Sequence, residues 1–395
     1  MAIFNKCFLY ADVGFWILIV KTVGVFMKIA MLGQKAVPSR LGGVEIVVEN
    51  LATQMTRKKQ DVTLYNRKVK GITPVKRYKG VKIHTVLTIN KKGLAAISAS
   101  FFAAIQASLN NYDIVHIHAE GPAFFSWIPK LFGKKVVVTI HGLDWKRAKW
   151  KKGLGSKFIK AGEKAAVKYS DAIIVLSKDN QDYFLKKYSR KTFLIPNGVH
   201  APRILDTSLI QRKWKLQKDK YILYLGRIVP EKGIKNLILA FKKVKTDKKL
   251  VIAGGSSDTD QFYDELKKLA KDDPRILFTG AVQGRTLGEL YSNAYLYTLP
   301  SDLEGMPLSL LEAMSYGNCV LVSDIPECTD VVEQNGIIFK HGNVKDLQDK
   351  LEYTVNHSNV VRKFKEKSSN YILSKYNWNK IVDKTLLVYG KCLND

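Results

Sequence analysis

The hydrophobic and polar positions of this chain follow two alternating patterns. Short runs rich in valine, isoleucine and leucine are separated by longer segments in which apolar residues recur three and four positions apart. The short runs are typical of buried strands, and the longer segments are typical of amphipathic helices. This alternation predicts an α/β fold in which crossover helices connect the strands of a parallel sheet.

The predicted strands fall into two sets. Those of the first set are Ile29–Gly33, Val62–Tyr65, Ile83–Val86, Ile114–His118, Val136–Ile140, Ala172–Leu176 and Phe193–Ile195. Those of the second set are Tyr221–Leu225, Leu250–Ala253, Ile276–Thr279, Leu296–Leu299, Val320–Ser323 and Ile337–Phe339. Helical periodicity is clear over Val44–Arg57, Leu94–Leu109 and Leu154–Tyr169. We therefore expect two Rossmann-like, doubly wound domains, with ligands at the carboxyl ends of the strands and in a cleft between the domains.

The segment between the two sets of strands marks the expected limit between two domains. We assign residues 27–199 to a first domain, residues 200–372 to a second, and residues 373–395 to a helix that packs back on the first. Residues 1–26 are expected to lie outside the folded core. Their longest uninterrupted apolar run, Val13 to Val20, is shorter than the roughly 20 residues of a membrane span. The alternative for this segment is a peripheral, membrane-seeking role.

Composition adds one unusual property, which is charge. Hydrophobic residues make up 46% of the 395 residues and charged residues 25%, which is normal for a globular protein. The four cysteines form no CxxC pair, which argues against a disulfide scaffold or zinc site and fits a reducing compartment. The net charge is +29, and residues 1–199 carry 34 Lys and Arg against 11 Asp and Glu. Such an excess indicates an anionic partner: nucleic acid, a lipid surface or a phosphorylated ligand.

Three candidate groups follow strands of the first domain. Gly42 and Gly43 open a helix, where backbone N–H groups can approach an anion, although a plain tight turn also explains them. His118 ends a strand and is either a cleft residue or a structural histidine; no third ligand supports a metal pair with His116. His141 stands beside a loop glycine at another strand end, where it can donate a hydrogen bond to a substrate. The alternative for His141 is a turn capped by Asp144.

The second domain repeats this arrangement with cations. Gly226 and Arg227 follow an apolar strand, and Lys232 comes five residues later. A guanidinium and a flexible ammonium in one short loop suit a diphosphate, whereas the alternative is a solvated charge cluster. Gly254, after the next strand, allows a further close approach of the backbone.

The most informative block is Ser301–Met314, which reads SDLEGMPLSLLEAM. Pro307 is expected in the first turn of a helix, so the amides around Gly305 and Met306 would face an anion. Glu304 precedes the helix, and Glu312 lies within its apolar stretch. A carboxylate among apolar residues needs a partner, and two carboxylates eight positions apart suit two hydroxyl-bearing parts of one ligand.

One segment has the letters of a metal motif. Asp258, Thr259 and Asp260 form a DxD sequence, but they lie in a polar Ser/Asp loop that is more typical of a solvated turn. We therefore expect no metal ion and no other cofactor.

Taken together, these motifs resemble the retaining, nucleotide-sugar-dependent glycosyltransferases of family 4, which have the GT-B fold. The most specific element is the pair Glu304 and Glu312 within EGMPLSLLEAM, supported by GRIVPEKG at Gly226–Gly233 and GGVE at Gly42–Glu45. The resemblance extends from about Met27 to about Trp378. The stretch GQKAVPSRLGGVE also resembles bacterial enzymes of capsular and exopolysaccharide assembly, including a group of rhamnosyltransferases.

The resemblance implies a role for each matching residue. Arg227 and Lys232 would hold the donor diphosphate, Glu304 the donor sugar and Glu312 the ribose hydroxyls. His141 would contact the sugar near its anomeric carbon, and Asp144 would serve the acceptor, with His118 at the same side. The remaining donor-binding residues would be Gly42, Gly43, Gly226, Gly254, Gly305, Met306 and Pro307.

The resemblance also implies the chemistry. A hexosyl group would move from a UDP- or dTDP-sugar with retention of configuration, without a metal, and His141, Glu304, Arg227 and Lys232 would be the catalytic groups. The acceptor would be a glycan or a glycan linked to polyprenyl diphosphate, in cell-surface polysaccharide synthesis. The sequence shows no enzyme nucleophile, so leaving-group charge would be met by Arg, Lys and helix amides.

Part of the excess positive charge is concentrated in one segment of the chain. Lysines and aromatic residues alternate over residues 145–168, and Lys149, Trp150, Lys151 and Lys152 form the densest part. Cations interleaved with aromatic residues suit an anionic membrane surface, although a solvated helix face is the alternative. We expect a cytoplasmic protein held at the inner face of the membrane. The competing function is a non-catalytic GT-B-like protein or a basic binder of nucleic acid, for which no binding motif is present.

Overall fold

The computed structural model of the chain describes residues 25–40, 42–91, 93–146, 154–256 and 260–395. It divides into two compact units, and the divisions fall between Asn197 and Gly198 and between Asn377 and Trp378. Each unit is built on its own sheet, and the order of the strands places the candidate residues.

The first unit contains an eight-stranded sheet. Its strands are β1 (Lys28–Leu32), β2 (Asp61–Arg67), β3 (Arg77–Tyr78), β4 (Val81–Val86), β5 (Ile114–His118), β6 (Lys135–Ile140), β7 (Ala172–Val175) and β8 (Phe193–Leu194). Their order across the sheet is β3-β4-β2-β1-β5-β6-β7-β8. All neighbours are parallel except β3 and β4. Sequential strands run outwards on both sides of the β1/β5 pair, so a ligand site is expected at the carboxyl ends beside that pair.

Helices cover this sheet. They are α1 (Gly43–Arg57), α2 (Leu94–Leu109), α3 (Glu120–Ala123), α4 (Trp127–Leu131), α5 (Leu154–Tyr169) and α6 (Lys178–Tyr188). The strands of this sheet are apolar and buried; Ile29, Ile114 and Val138, for example, have no exposed surface. Burial on both faces explains why the central strands read as continuous apolar runs rather than as alternating ones.

The second unit contains a six-stranded parallel sheet. Its strands are β9 (Tyr221–Leu225), β10 (Lys249–Ala253), β11 (Ile276–Gly280), β12 (Leu296–Leu299), β13 (Val320–Ser323) and β14 (Ile337–Phe339), in the order β11-β10-β9-β12-β13-β14. Its helices are α7 (Leu209–Trp214), α8 (Ile234–Phe241), α9 (Asp260–Ala270), α10 (Gly284–Asn293), α11 (Leu308–Ser315), α12 (Pro326–Val332), α13 (Val344–Asn356) and α14 (Ser358–Lys375). The strand order reverses between β9 and β12, which marks the expected ligand edge of this unit.

The last helix, α15 (Trp378–Asn394), belongs to the first unit. It packs against α1 and β6. Lys58 and Asp383 form an ion pair of 2.8 Å between α1 and α15. The buried hydroxyl of Tyr389 reaches Nδ1 of His116 at 2.6 Å. The final helix therefore completes the core of the unit in which the chain begins.

The predicted fold class is confirmed, because both units are parallel α/β sheets and every predicted strand is present within a few residues of its expected ends. The short strand β3 was not predicted, since two residues are too few to show a pattern. The helix expected over residues 373–395 begins at Trp378, and Tyr376 and Asn377 separate it from the preceding helix.

Candidate functional site

In the second unit, glycines bring the loops after β9 and β10 together. A Cβ atom on Gly254 would lie 1.8 Å from the carbonyl oxygen of Gly226, so a side chain there would push the two strand ends apart. Gly233, which follows the turn Pro230–Lys232, has a φ of 65°, and a Cβ atom on it would lie 1.9 Å from the carbonyl oxygen of Pro300. These glycines are therefore needed for the close packing of the backbone, in addition to any contact that they make with a ligand.

Lys232 and Glu304 form an ion pair, although they are 72 positions apart in sequence. Their side chains are only 14% and 7% exposed. The hydroxyl of Ser301 donates a second hydrogen bond of 2.7 Å to the same oxygen of Glu304. The structure therefore brings together the flexible cation and the loop carboxylate that the sequence placed in separate motifs. A partly buried pair of this kind interacts more strongly than one in water.

Helix α11 begins immediately after the loop that carries Glu304. It starts at Leu308, so Pro307 is the residue before the first turn rather than a member of it, with extended backbone angles. Gly305 is buried and Met306 is half-buried. The first-turn amides of a helix have no partner within it and favour negative charge, so the predicted anion-binding end of the helix remains in place.

Glu312 has the partner that its apolar surroundings require. The hydroxyl of Tyr291, a buried residue on α10, donates a hydrogen bond of 3.1 Å to Oε2 of Glu312. Burial raises the pKa of Tyr291 well above its usual value, and the negative charge of Glu312 adds to this effect. Tyr291 therefore remains a donor at neutral pH. Sequence reasoning required a partner for Glu312 but could not identify Tyr291, because the contact depends on the packing of two helices.

Arg227 differs from Lys232 in its surroundings. Its side chain is exposed, while its main-chain carbonyl accepts a hydrogen bond of 2.9 Å from the buried hydroxyl of Tyr224. The tyrosine fixes the backbone of the loop, and the guanidinium stays at the surface. This unit therefore combines a fixed, buried ammonium with an exposed guanidinium near the carboxyl end of β9.

In the first unit, the three histidines considered in the sequence analysis lie next to one another. Nδ1 of His118 and Nε2 of His141 are 3.1 Å apart, and His116 bridges Tyr389 and the hydroxyl of Thr139, the latter at 2.7 Å. Burial lowers the pKa of His116 to about 3 and holds that of His118 well below its usual value. Both rings are therefore neutral at pH 7, and His118 contacts His141 through a hydrogen bond rather than through charge.

The acceptor-binding role expected of His118 does not fit its position. The ring has no exposed surface and contacts His141. His141 itself is half-buried at the end of β6. The physical reason is that His118 is the last residue of the central strand β5, all of whose residues are buried. Its place is therefore behind His141 and not in contact with a ligand.

Asp144, the other expected acceptor residue, lies in a short 3₁₀ turn over Asp144–Lys146. Its main-chain N–H donates a hydrogen bond of 2.7 Å to Oε2 of Glu120, a carboxyl group with no exposed surface. Burial raises the pKa of Glu120 to about 10, and the neighbouring charges of Asp144 and Glu163 add to this. Glu120 is thus a neutral acid at pH 7, and the nearby charge of Glu163 favours this neutral form.

Glu163 is the ionised partner of this pair. Burial alone would raise its pKa, but hydrogen bonds donated by Tyr188, Lys187 and Tyr183 lower it. Trp145, in the turn after β6, donates a further hydrogen bond of 2.9 Å to Glu163. The buried acid pair therefore ties the loop that follows β6 to α5 and α6. Sequence reasoning missed it, because Glu120 and Glu163 belong to no motif.

Gly42 and Gly43 lie where the sequence placed them. Gly42 precedes the first turn of α1, and Gly43 is its first residue. Glu45 in the first turn is buried and accepts a hydrogen bond of 2.9 Å from the main-chain N–H of Lys35. The carboxylate of Glu45 thus already hydrogen-bonds the loop before this helix. The glycines therefore have a structural role in addition to the predicted binding of an anion.

A recess that the sequence did not indicate lies near the carboxyl ends of β1 and β2. Lys35, Tyr65 and Arg67 line one side of it. Small side chains of α2 line the other side: Ala96, Ala99, Ser100 and Ala103. Burial lowers the pKa of Arg67, which nevertheless stays protonated at neutral pH. The recess can therefore hold a small anionic group.

Comparison with known proteins identifies the class. Residues 41–203 match Glycosyltransferase Family 4, and residues 206–371 match Glycosyl transferases group 1. An uncharacterized glycosyltransferase of Methanocaldococcus jannaschii is 26% identical over 391 residues, which represent 92% of this chain and 98% of that protein. The chain is a GT-B glycosyltransferase of the family 4 type. Both units, including the three neighbouring histidines and the Lys232–Glu304 pair, are parts of this enzyme.

Two solved structures show the same fold as the glycosyltransferase. Sucrose-phosphate synthase from Thermosynechococcus elongatus has a TM-score of 0.77 at 20% identity and covers 90% of this chain and 96% of its own. Anabaena HepE, solved in complex with UDP and glucose, has a TM-score of 0.77 at 16% identity and covers 91% and 98%. At these identities the likeness concerns the fold alone.

Some expectations for the glycosyltransferase concern residues that the structure does not describe. The cluster Lys149, Trp150, Lys151 and Lys152 lies outside the described residues, as do Asp258 and Thr259 of the DxD sequence and residues 1–24. Within the described ranges, no three His, Cys, Asp or Glu side chains are grouped so as to hold a metal ion. Among the same residues, no helix has both the length and the apolar character of a membrane span.

Proposed function

We propose that this glycosyltransferase transfers a hexosyl group from a nucleotide-sugar donor, a UDP- or dTDP-sugar, to a glycan or a glycan linked to polyprenyl diphosphate. The observation that carries the proposal is the joint placement of Lys232, Glu304 and the start of α11 at the ligand edge of the second unit. A cation and helix amides there would meet a diphosphate, and the carboxylates would accept hydrogen bonds from sugar and ribose hydroxyls.

Each donor contact can be stated at the level of atoms. The ammonium of Lys232 would leave Glu304 in part for a phosphate oxygen, and Arg227, which is exposed, would pair with the same diphosphate. The carboxylate of Glu304 would then accept from a hydroxyl of the donor sugar. Glu312, held on one oxygen by Tyr291, would accept from the ribose. The glycines at 226, 254 and 305 would allow the backbone close to the ligand.

The reaction would proceed with retention of configuration. Glu304 is engaged by Lys232 and Ser301, which suits it to orient a sugar rather than to attack the anomeric carbon. We propose attack of the acceptor hydroxyl on the face that the diphosphate leaves, with a departing phosphate oxygen taking the acceptor proton. The new bond joins the acceptor oxygen to the anomeric carbon as the carbon–phosphate oxygen bond breaks. Cations and helix amides would stabilise the charge on the leaving group.

The first unit would bind the acceptor. Asp144, in the turn after β6, and His141, at the end of β6, are the proposed contacts, with His141 also near the anomeric carbon. The recess beside Lys35 and Arg67 would suit a phosphate of a lipid-linked acceptor. HepE, whose structure contains UDP and glucose, supports a UDP-sugar as donor. A role in cell-surface polysaccharide synthesis would follow from an acceptor of this kind.

The enzyme would work at the inner face of the cell membrane. The excess of Lys and Arg over Asp and Glu in residues 1–199 supports attraction to anionic lipids. Charge reversal at Lys149, Lys151 and Lys152 is expected to weaken binding to anionic vesicles and to leave nucleotide affinity unchanged. Vesicle binding that equals that of the unaltered protein would remove these lysines from the proposal.

A donor screen tests the proposed reaction. The full chain is incubated with a panel of UDP-, dTDP- and GDP-sugars, and release of the nucleoside diphosphate is measured beside the same assay with Glu312→Ala. The expected result is turnover of at least one donor and its loss in the variant. No turnover of any donor and retention of the protein on DNA equal to that on anionic vesicles would favour the non-catalytic binder instead.

A further inference from the structure

Helix α2 (Leu94–Leu109) buries only small residues completely and exposes several of its large ones. All of its buried residues are alanine or serine: Ser98, Ala99, Ser100, Ala103, Ala104, Ala107 and Ser108. Three large apolar residues, spaced along the same helix, are exposed: Leu94, Phe101 and Leu109. A helix that only covers a sheet buries its large side chains and exposes polar ones. This helix differs: Ile97, Phe102 and Ile105 are only partly buried against the core, three further large residues are exposed, and no residue of the helix is charged.

The neighbouring short helix α4 (Trp127–Leu131) extends this apolar surface. α2 and α4 are in contact, and the ring of Phe101 packs edge-on against that of Phe125, with centroids 5.6 Å apart. Next to this contact, Trp127 and Leu131 of α4 and the following Phe132 are exposed, Leu131 to 76% and Phe132 to 54%. We call the six exposed residues the α2–α4 face: Leu94, Phe101, Leu109, Trp127, Leu131 and Phe132. Together they exceed what scattered surface residues explain.

Cations outnumber acids around the α2–α4 face, where Asp171 pairs with Lys130 of α4 at 2.7 Å. Residues 62–112 contain nine Lys and Arg and no Asp or Glu. Lys91, which precedes α2, is exposed, and Lys134, which follows α4 shortly after Phe132, is half-buried. Of the two acids closest to these helices in sequence, Glu120 is wholly buried, and Asp113 is engaged at 2.7 Å by the main-chain N–H of Lys28. An apolar centre with a cationic border is therefore what this surface presents.

We propose that the α2–α4 face docks on an anionic lipid membrane, where the apolar side chains enter the acyl boundary and the lysines meet the headgroups. Such a division of apolar and cationic groups is what interfacial helices use. A second copy of the chain fits less well, because two like faces would bring their lysines together across the contact. The inference rests on the membrane association proposed above and not on glycosyl transfer. It assigns the docking surface to the α2–α4 face and not to Lys149–Lys152.

The test is vesicle co-sedimentation of the full chain without donor or acceptor. Vesicles consist of phosphatidylcholine alone or mixed with phosphatidylglycerol. The test variant is Leu109→Ser/Leu131→Ser/Phe132→Ser. The matched control is Leu185→Ser/Ile204→Ser/Tyr353→Ser, which removes three exposed large residues elsewhere. Thermal unfolding is measured for both, since exposed positions should tolerate serine.

We expect the unaltered protein and the control to bind the mixed vesicles and the test variant to bind them at least about tenfold more weakly. Lys91→Glu/Lys134→Glu should weaken binding as well, whereas Lys268→Glu/Lys363→Glu, in the other unit, should do so less. Equal binding by test and control variants would overturn the proposal. So would a dimer in solution that only the test variant disrupts, because the occupant would then be a second copy. Loss of donor turnover with vesicle binding intact would instead affect only the proposed reaction.

Discussion

At the scale of single residues, the candidate site depends on partners that are distant in sequence. Glu304 and Lys232 could be recognised as chemical groups from their motifs, and Glu312 from its apolar surroundings. That Lys232 pairs with Glu304, or that Tyr291 supports Glu312, could not be predicted, because each contact depends on how two loops or helices pack. His118 shows the same limit: its position in sequence was clear, but its complete burial was not.

The Lys232–Glu304 pair makes a prediction about stability. Lys232→Met leaves a largely buried carboxylate without its cation, so the free energy of unfolding should fall by about 3 kcal/mol. The double variant Lys232→Met/Glu304→Gln should recover most of this loss, because no unpaired charge remains. Urea unfolding of the two variants measures both effects.

The control for this pair is Lys345→Met, which removes the cation of an exposed pair with Asp349. That change should have a much smaller effect on stability than Lys232→Met, because water screens an exposed pair. If Lys232→Met is no more destabilising than Lys345→Met, the Lys232–Glu304 pair has no structural importance. Both Lys232 variants should lack donor turnover, because the donor contact is lost in each.

Glu120 makes a prediction about pH. Its pKa in the folded protein is raised from 4.5 to about 10, so the folded protein keeps a proton that the unfolded chain releases. Stability contributed by this group therefore falls as pH rises from about 4.5 towards about 10. Glu120→Gln keeps an oxygen that can accept the hydrogen bond from the main-chain N–H of Asp144 and cannot titrate. Its melting temperature, relative to that of the unaltered protein, should be higher at pH 9 than at pH 6.

The exposed substitution Glu366→Gln is the control for this comparison, since its effect should not change with pH. Thermal unfolding of the three proteins at the two pH values measures the difference. A Glu120→Gln effect that is the same at pH 6 and pH 9 would mean that Glu120 ionises in the folded protein as it does in the unfolded chain.

At the scale of elements, the strands were the most predictable part of the molecule. Parallel strands buried on both faces give continuous apolar runs, and these marked β1, β5, β9 and β12 directly. Strand β3 and the break between α14 and α15 were not predicted, because the first is too short and the second lies within a continuous helical pattern. The sequence showed that α2 is a helix, but which side of it faces the sheet became visible only in the structure.

The orientation of α2 can be tested by adding volume to each side. Ala107 is fully buried, so Ala107→Leu should overpack the contact with the sheet and lower the free energy of unfolding by about 1–3 kcal/mol. Gln106→Leu introduces the same side chain at the adjacent exposed position and should change stability by less than about 0.5 kcal/mol. Equal losses of unfolding free energy in urea would mean that Ala107 does not face the sheet, contrary to the orientation of α2 described above.

At the scale of the whole molecule, we propose two roles for the excess positive charge: binding of the donor and binding of a membrane. A few cations belong to the proposed donor site, and the large excess lies in residues 1–199, around the α2–α4 face and the segment with Lys149. Composition predicted an anionic partner but not its position. A proposal for its position required the structure, because the exposed apolar residues of the α2–α4 face became visible only there.

These two roles should respond differently to salt. Exposed charges are screened over about 8 Å at 0.15 M ionic strength, whereas partly buried ones are screened much less. Binding to vesicles that contain phosphatidylglycerol should therefore weaken steeply as sodium chloride rises, and donor affinity, which depends on Lys232, should change less. Parallel salt series by co-sedimentation and by calorimetry compare them. A donor affinity that falls as steeply as vesicle binding would place the donor on the exposed surface.

The most direct test of the proposed function is a calorimetric titration of the full chain with the nucleotide sugar selected by the donor screen. Three proteins are compared: the unaltered chain, Glu312→Gln and the surface control Glu333→Gln. Loss of one charge-assisted hydrogen bond should weaken binding by about tenfold or more, so Glu312→Gln should bind at least tenfold more weakly while Glu333→Gln binds as the unaltered chain does. Equal affinity of Glu312→Gln and the unaltered chain would contradict a donor site at this helix.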